Sequence, residues 1–113
     1  MDARLTTELW VQALVRRAGG LGAFATVVRR GDRDAGAVIL HHVQPGGGEA
    51  ALARITAPGG GGQWDRVRAT PEHSREAIAG YLARQVEFDP DLWIVELVAE
   101  DITPFIDGMN PAR

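Results

Sequence analysis

No cysteine, no lysine and only one serine occur among the 113 residues. Without cysteine there is no disulfide framework, no thiolate zinc site and no thiol nucleophile. The lone serine, Ser74, stands in a His-Ser-Arg-Glu context without the flanking glycines of a nucleophile elbow, which sets aside serine-triad hydrolysis. With no lysine, arginine is the only strong cation, and alongside the abundance of Ala and Gly this most simply reflects a GC-rich genome. Long apolar runs are missing too. The longest, Ala35–Leu40, falls far short of the roughly 20 residues that span a bilayer. Met1-Asp2-Ala3-Arg4 leads into an amphipathic segment broken by Arg16 and Arg17, without the apolar core of a signal peptide. A cytoplasmic protein with no membrane contact is the expectation.

What remains is an ordinary globular composition. Hydrophobic residues make up 45%, too many for a disordered chain, and the length suits one domain over 1–113 with a flexible tail from about residue 108. A net charge of −3 argues against a dedicated nucleic-acid binder. The charge is uneven: residues 1–33 carry six arginines against three acids, whereas Glu87–Asp107 carries seven acids and no arginine. Such halves neutralise each other on folding.

Thr6 and Thr7 are N-cap candidates, Glu8 complements the helix dipole, and Leu9, Trp10, Ala13 and Leu14 keep helical spacing up to a stop at Gly19-Gly20. Phe24–Arg30 and Ala37–Val43 read as strands joined through Gly31–Gly36 in a hairpin. Ala50–Ala57 and Gln63–Ala69 follow as strands, separated by Gly59–Gly62. Thr70-Pro71-Glu72 reads as the start of a second helix ending near Val86. Leu92–Val98 is a near-continuous apolar strand with both faces covered, and a last short strand is expected around Phe105. The expected fold is α+β: a mostly antiparallel sheet of about five strands with two helices packed on one face.

Candidate chemistry is sparse. His41 and His42 are neighbours in a strand and point to opposite faces, so they do not share a metal simply. No metal, cofactor or catalytic residue is assigned. Asp89 and Asp91 flank Pro90, where they either hold a cation or cap the turn and accept backbone N–H bonds. Glu96 interrupts an apolar central strand, and an unpaired charge there costs several kcal/mol. It is expected to pair with an arginine, foremost Arg29 or Arg30, with Arg66 and Arg68 as alternatives; a pocket carboxylate is the functional reading. Trp64, Arg66 and Arg68 share one strand face in that reading, with Arg54 beside them. An aromatic among arginines either holds a nucleotide or single strand by stacking and phosphate contact, or packs under arginine stems at the sheet margin. The runs Gly46–Gly48 and Gly59–Gly62 lack the GxxxxGK[ST] pattern and read as loops.

Three segments carry a resemblance: Leu9–Arg17 (LWVQALVRR), Arg29–Val38 (RRGDRDAGAV) and Phe88–Glu96 (FDPDLWIVE). Together, in order and spacing, they resemble a family of short, mostly alphaproteobacterial proteins known as domain of unknown function 1491. The Phe-Asp-Pro-Asp-Leu-Trp string is the most specific part. The resemblance implies a cytoplasmic single-domain protein and supplies no activity, cofactor or catalytic residue.

The leading expectation is a non-enzymatic binding or regulatory module acting through protein–protein contacts, as a homodimer along a sheet edge. A small-ligand or nucleotide site, with an enzyme among its variants, lined by Trp64, Arg66, Arg68, Asp89 and Asp91 is the first alternative. An RNA-binding module is the second.

Overall fold

A computed structural model describes residues 6–56 and 62–106; the tail from about 108 and most of the Gly59–Gly62 run lie outside the described residues. The elements run α1 (Thr7–Gly20), β1 (Phe24–Arg29), β2 (Val38–Val43), β3 (Glu49–Thr56), β4 (Gly62–Ala69), α2 (Arg75–Phe88), β5 (Trp93–Val98) and α3 (Thr103–Ile106). The class is α+β. The sheet order is β1-β5-β2-β3-β4, antiparallel throughout except for the parallel β2–β5 pair.

Thr6 caps α1 by accepting the Leu9 N–H at 3.2 Å. The helix runs through Gly19 and Gly20, and the left-handed residue that turns the chain out is Gly22, at φ 77. Trp10, Leu14 and Ala18 present the inward stripe. Burying one side chain the size of Leu14 is worth about 1.5–3 kcal/mol.

The expected β1–β2 hairpin does not form. β5 inserts between them, pairing antiparallel with β1 and parallel with β2. A near-continuous apolar strand gains most where both faces are covered, so β5 takes the centre. The 31–36 segment is no tight turn but folds back over the start of β5, with Asp32 donating its N–H to the Asp91 carbonyl at 2.9 Å.

The helices also do not share a face. Val38, Leu40, Leu52, Trp93, Val95 and Leu97 pack with α1 and α3, whereas Ile39, Ala51 and Ile94 pack with Ile78 of α2. Alternation along each strand places these sets on opposite sides, giving three layers.

The second helix starts later than Thr70-Pro71-Glu72. Thr70 still belongs to the sheet margin, donating its N–H to the Glu49 carbonyl at 3.0 Å and accepting the Glu49 N–H on its hydroxyl. Ser74 is the cap, accepting from Ala77 N, and α2 runs to Phe88, just before Pro90. Around Phe105 the chain forms the short helix α3 instead of a strand. Asp101 accepts the Thr103 N–H, and Pro104, with no N–H to give a ladder, suits a first helical turn. Among the described residues no helix is long and apolar enough to cross a membrane.

Candidate functional site

The three segments that carry the family resemblance meet at one end of the sheet. Gly31 and Gly36 both lie against the Asp91 carbonyl oxygen, so close that neither position has room for a Cβ. Arg29 Nη1 donates to the carbonyls of Leu92 at 2.7 Å and Pro90 at 2.9 Å. The Trp93 indole N–H donates to the Asp32 carbonyl at 2.7 Å. The N-terminus of α1 closes the junction: Thr7 N–H and hydroxyl donate to the carbonyls of Asp34 and Gly36, and Glu8 N–H to that of Arg33.

Glu8 is the electrostatic hub of this junction. Its Oε2 accepts from Arg30 at 2.6 Å and its Oε1 from Arg33 at 3.2 Å. The Arg30 guanidinium lies 5.2 Å from the centre of the Trp93 ring, within cation–π range. From here a groove runs along α1 between the helix and the sheet, with a free volume of about 390 Å³. Val11, Val15, Val27 and Trp93 form its apolar floor, while Glu8, Gln12, Arg16 and Arg30 stand at its rim.

The hydrogen bond from Arg30 holds the Glu8 carboxyl below its usual value near 4.5; burial opposes it, and the charge of Arg33 adds a smaller lowering. A depressed folded value means the unfolded chain binds the proton more readily. The Glu8 contribution to stability is therefore complete above about 4.5 and is lost as pH falls through the lower folded value. In a carboxyl-carbon NMR titration Glu8 should titrate below 4.5, and Arg30→Gln should move its midpoint up. A midpoint unmoved by that substitution would remove Arg30 as the cause.

The residues singled out from sequence do not converge. Trp64 turns into the core and stacks on Trp10, ring centres 5.7 Å apart and planes at 24°. A bulge in the β3–β4 ladder sets Arg66 across from Leu52 but Arg68 across from Ala51, so the two arginines fall on opposite faces. Arg68 lies over the Tyr81 ring of α2, 4.6 Å from its centre. Asp89 caps the turn, its Oδ1 accepting Asp91 N–H at 3.0 Å, and both aspartates lie three strands away from Trp64. Glu96 stands across from Thr26 and His41, half-buried, and among the described residues it makes no ion pair. Arg29 and Arg30 are taken by backbone carbonyls and by Glu8, so the proposed pairing with Glu96 does not occur.

His41 and His42 do face opposite ways. His41 Nε2 lies 2.9 Å from Glu49 Oε1, whose other oxygen takes Arg75 at 2.8 Å. His42 is buried against the Ala99 carbonyl at 2.7 Å. Among the described residues no three metal-ligating side chains gather. Gly46–Gly48 forms the β2–β3 hairpin turn, with Gly47 at φ 113. Sequence reasoning missed Glu8 and Trp93 as partners of Arg30. The signal was there in the acid at the start of α1 and the arginines of 29–33, opposite charges that the chain had to bring together.

A mixed sheet in the order β1-β5-β2-β3-β4, with a helix on each face and an arginine–tryptophan junction at one end, defines a small three-layer α+β protein. The same architecture recurs in solved alphaproteobacterial structures. A DUF1491 family protein from Caulobacter crescentus CB15, in a crystal structure, is 38% identical with a TM-score of 0.80, over 96% of this chain and 99% of that one. Protein Atu0922 from A. tumefaciens, in a solution structure, is 30% identical with a TM-score of 0.76, over 88% and 90%. The family model described as protein of unknown function (DUF1491) matches residues 5–107, and the chain belongs to that family. No curated protein matches it.

Proposed function

We propose that this protein is a cytoplasmic, non-enzymatic binding module acting through protein–protein contact, and that one partner is a second copy joined along β1. The observation that carries this reading is the contrast between the two sheet edges. β4 carries Asp65, Arg66 and Arg68, the charged side chains that keep an edge from pairing. β1 holds no charge before Arg29 and exposes Phe24 by 71% and Val28 by 59%. Both edges contain a bulge, so charge is what separates them.

A two-fold antiparallel pairing centred on Thr26 sets Phe24 of one copy across from Val28 of the other. Aromatic against β-branched is a favourable cross-strand pair. Thr26 then faces its own symmetry mate at a Cα separation of about 4.5–5.5 Å, which a disulfide spans. Because the chain has no cysteine, Thr26→Cys gives a clean reporter. Light scattering after size exclusion should give a dimer, Phe24→Glu should give a monomer, and Thr26→Cys should crosslink on mild oxidation where Gln63→Cys on β4 does not. A monomer at high concentration, or equal crosslinking at both edges, would end the proposal.

A further inference from the structure

We infer that the groove between α1 and the β1–β5 pair binds a small organic anion with a compact apolar body, the class of an aliphatic or aryl-alkyl monocarboxylate. This goes beyond the edge-pairing reading: the groove opens on the α1 side of the sheet, whereas Phe24 and Val28 do not line it.

The floor accepts only apolar matter. Val11, Val15 and Val27 offer methyl groups, and the one polar atom of Trp93 is already committed to the Asp32 carbonyl at 2.7 Å. Polar groups stand only at the rim, the arrangement that fixes the orientation of a small ligand, and about 390 Å³ lies at the lower end of the ~300–1,000 Å³ typical of ligand sites.

The sign of the head group follows from the charges. Glu8 is answered by both Arg30 and Arg33, which leaves that trio with one positive charge in excess. Arg16, exposed at the rim, makes no hydrogen bond or ion pair among the described residues. Its guanidinium carries a fork of donors that matches a carboxylate. Glu8 and Arg16 are eight residues apart on one helix, about 12 Å at 1.5 Å per residue, beyond the ~8 Å screening length at physiological salt. The carboxylate therefore docks at Arg16 without meeting Glu8, and the apolar body lies along Val15, Val11 and Val27 toward Trp93.

The test is an NMR titration with probes that share one tail: hexanoate, hexan-1-ol and hexylamine, plus acetate and inorganic phosphate as heads without a tail. Hexanoate should give saturable shifts centred on the methyls of Val11, Val15 and Val27 and on the Trp93 indole N–H. Hexan-1-ol should bind about tenfold more weakly, and hexylamine, acetate and phosphate should not saturate. Arg16→Gln should cost hexanoate about tenfold and leave hexan-1-ol unchanged, Arg16→Lys should keep part of the affinity, and Arg84→Gln on α2 should change nothing. No saturable shift with hexanoate overturns the inference. So does equal binding of the alcohol, of phosphate or of acetate, or equal loss in the Arg84 variant. None of these outcomes depends on whether the chain dimerises.

Discussion

Gly31→Ala is expected to lower stability by about 3 kcal/mol or more, at the upper end of what overpacking costs. The added methyl would overlap the Asp91 carbonyl oxygen and stand 2.7 Å from the carbonyl carbons of Asp91 and Leu92. These are backbone atoms of the turn that enters the central strand β5, held there by the Asp32 N–H and by Arg29. Moving the 31–36 segment away instead would break the Asp32–Asp91 bond at 2.9 Å and draw the Asp32 carbonyl off the Trp93 indole. Thermal unfolding should show a drop of roughly 12 °C or more, taking about 4 °C per kcal/mol for a domain of this size. Gly19→Ala is the matched control: nothing lies within 4 Å of that position, and it sits inside α1. There the substitution should be neutral or add up to about 1 kcal/mol. A Gly31 variant within 1 kcal/mol of the parent would mean that this junction is loosely held.

Gly31 and Gly36, both against the Asp91 carbonyl, also show where sequence reading stops. Gly, Asp, Asp and Gly over 31–36 satisfy the rules for a hairpin turn, and nothing local separates a turn from a close approach to a distant carbonyl. The distant carbonyl belongs to Asp91, some sixty residues on, so the contact that decides the topology is non-local. Long periodic elements were legible: α1 with its Thr6 cap, the strands β1 to β5, and the double coverage of Leu92–Val98. That double coverage already conflicted with helices packed on one face, because a strand buried on both sides needs a layer on each. The three-layer arrangement was thus readable from β5 alone. The bulge in β4 was not. It hinges on how the β3–β4 ladder closes, and it sends Arg68 to Tyr81 while leaving Trp64 with Trp10. Of the candidate site, the arginines at 29 and 30 were in view, but with the wrong partner. Glu96 looked like the acid in need of a cation, whereas Glu8 was near enough in space to claim Arg30 and Arg33 together.

Trp10→Ala should cost about 3–5 kcal/mol, the range for truncating a large aromatic in a packed core. Trp10 is fully buried among Val11, Leu14 and Leu40 and stacks on Trp64. The informative comparison is Trp10→Phe. The indole N–H of Trp10, like that of Trp64, is buried with no hydrogen-bond partner among the described residues. A donor stranded in that way costs about 1–3 kcal/mol of desolvation. Phenylalanine keeps an aromatic ring against Trp64 and removes the stranded donor, so the lost contact area and the relieved penalty oppose each other. Trp10→Phe should therefore unfold within about 1 kcal/mol of the parent in urea, followed by far-UV circular dichroism because the substitution removes a fluorophore. Trp64→Phe should behave alike. A cycle of Trp10→Leu, Trp64→Leu and their double variant, which removes both rings, should reveal a coupling of about 0.5–1.5 kcal/mol, the part due to ring stacking. If Trp10→Phe cost more than about 2 kcal/mol, the penalty for the unpaired donor would be small, and the stability of this core would come from indole contact area alone.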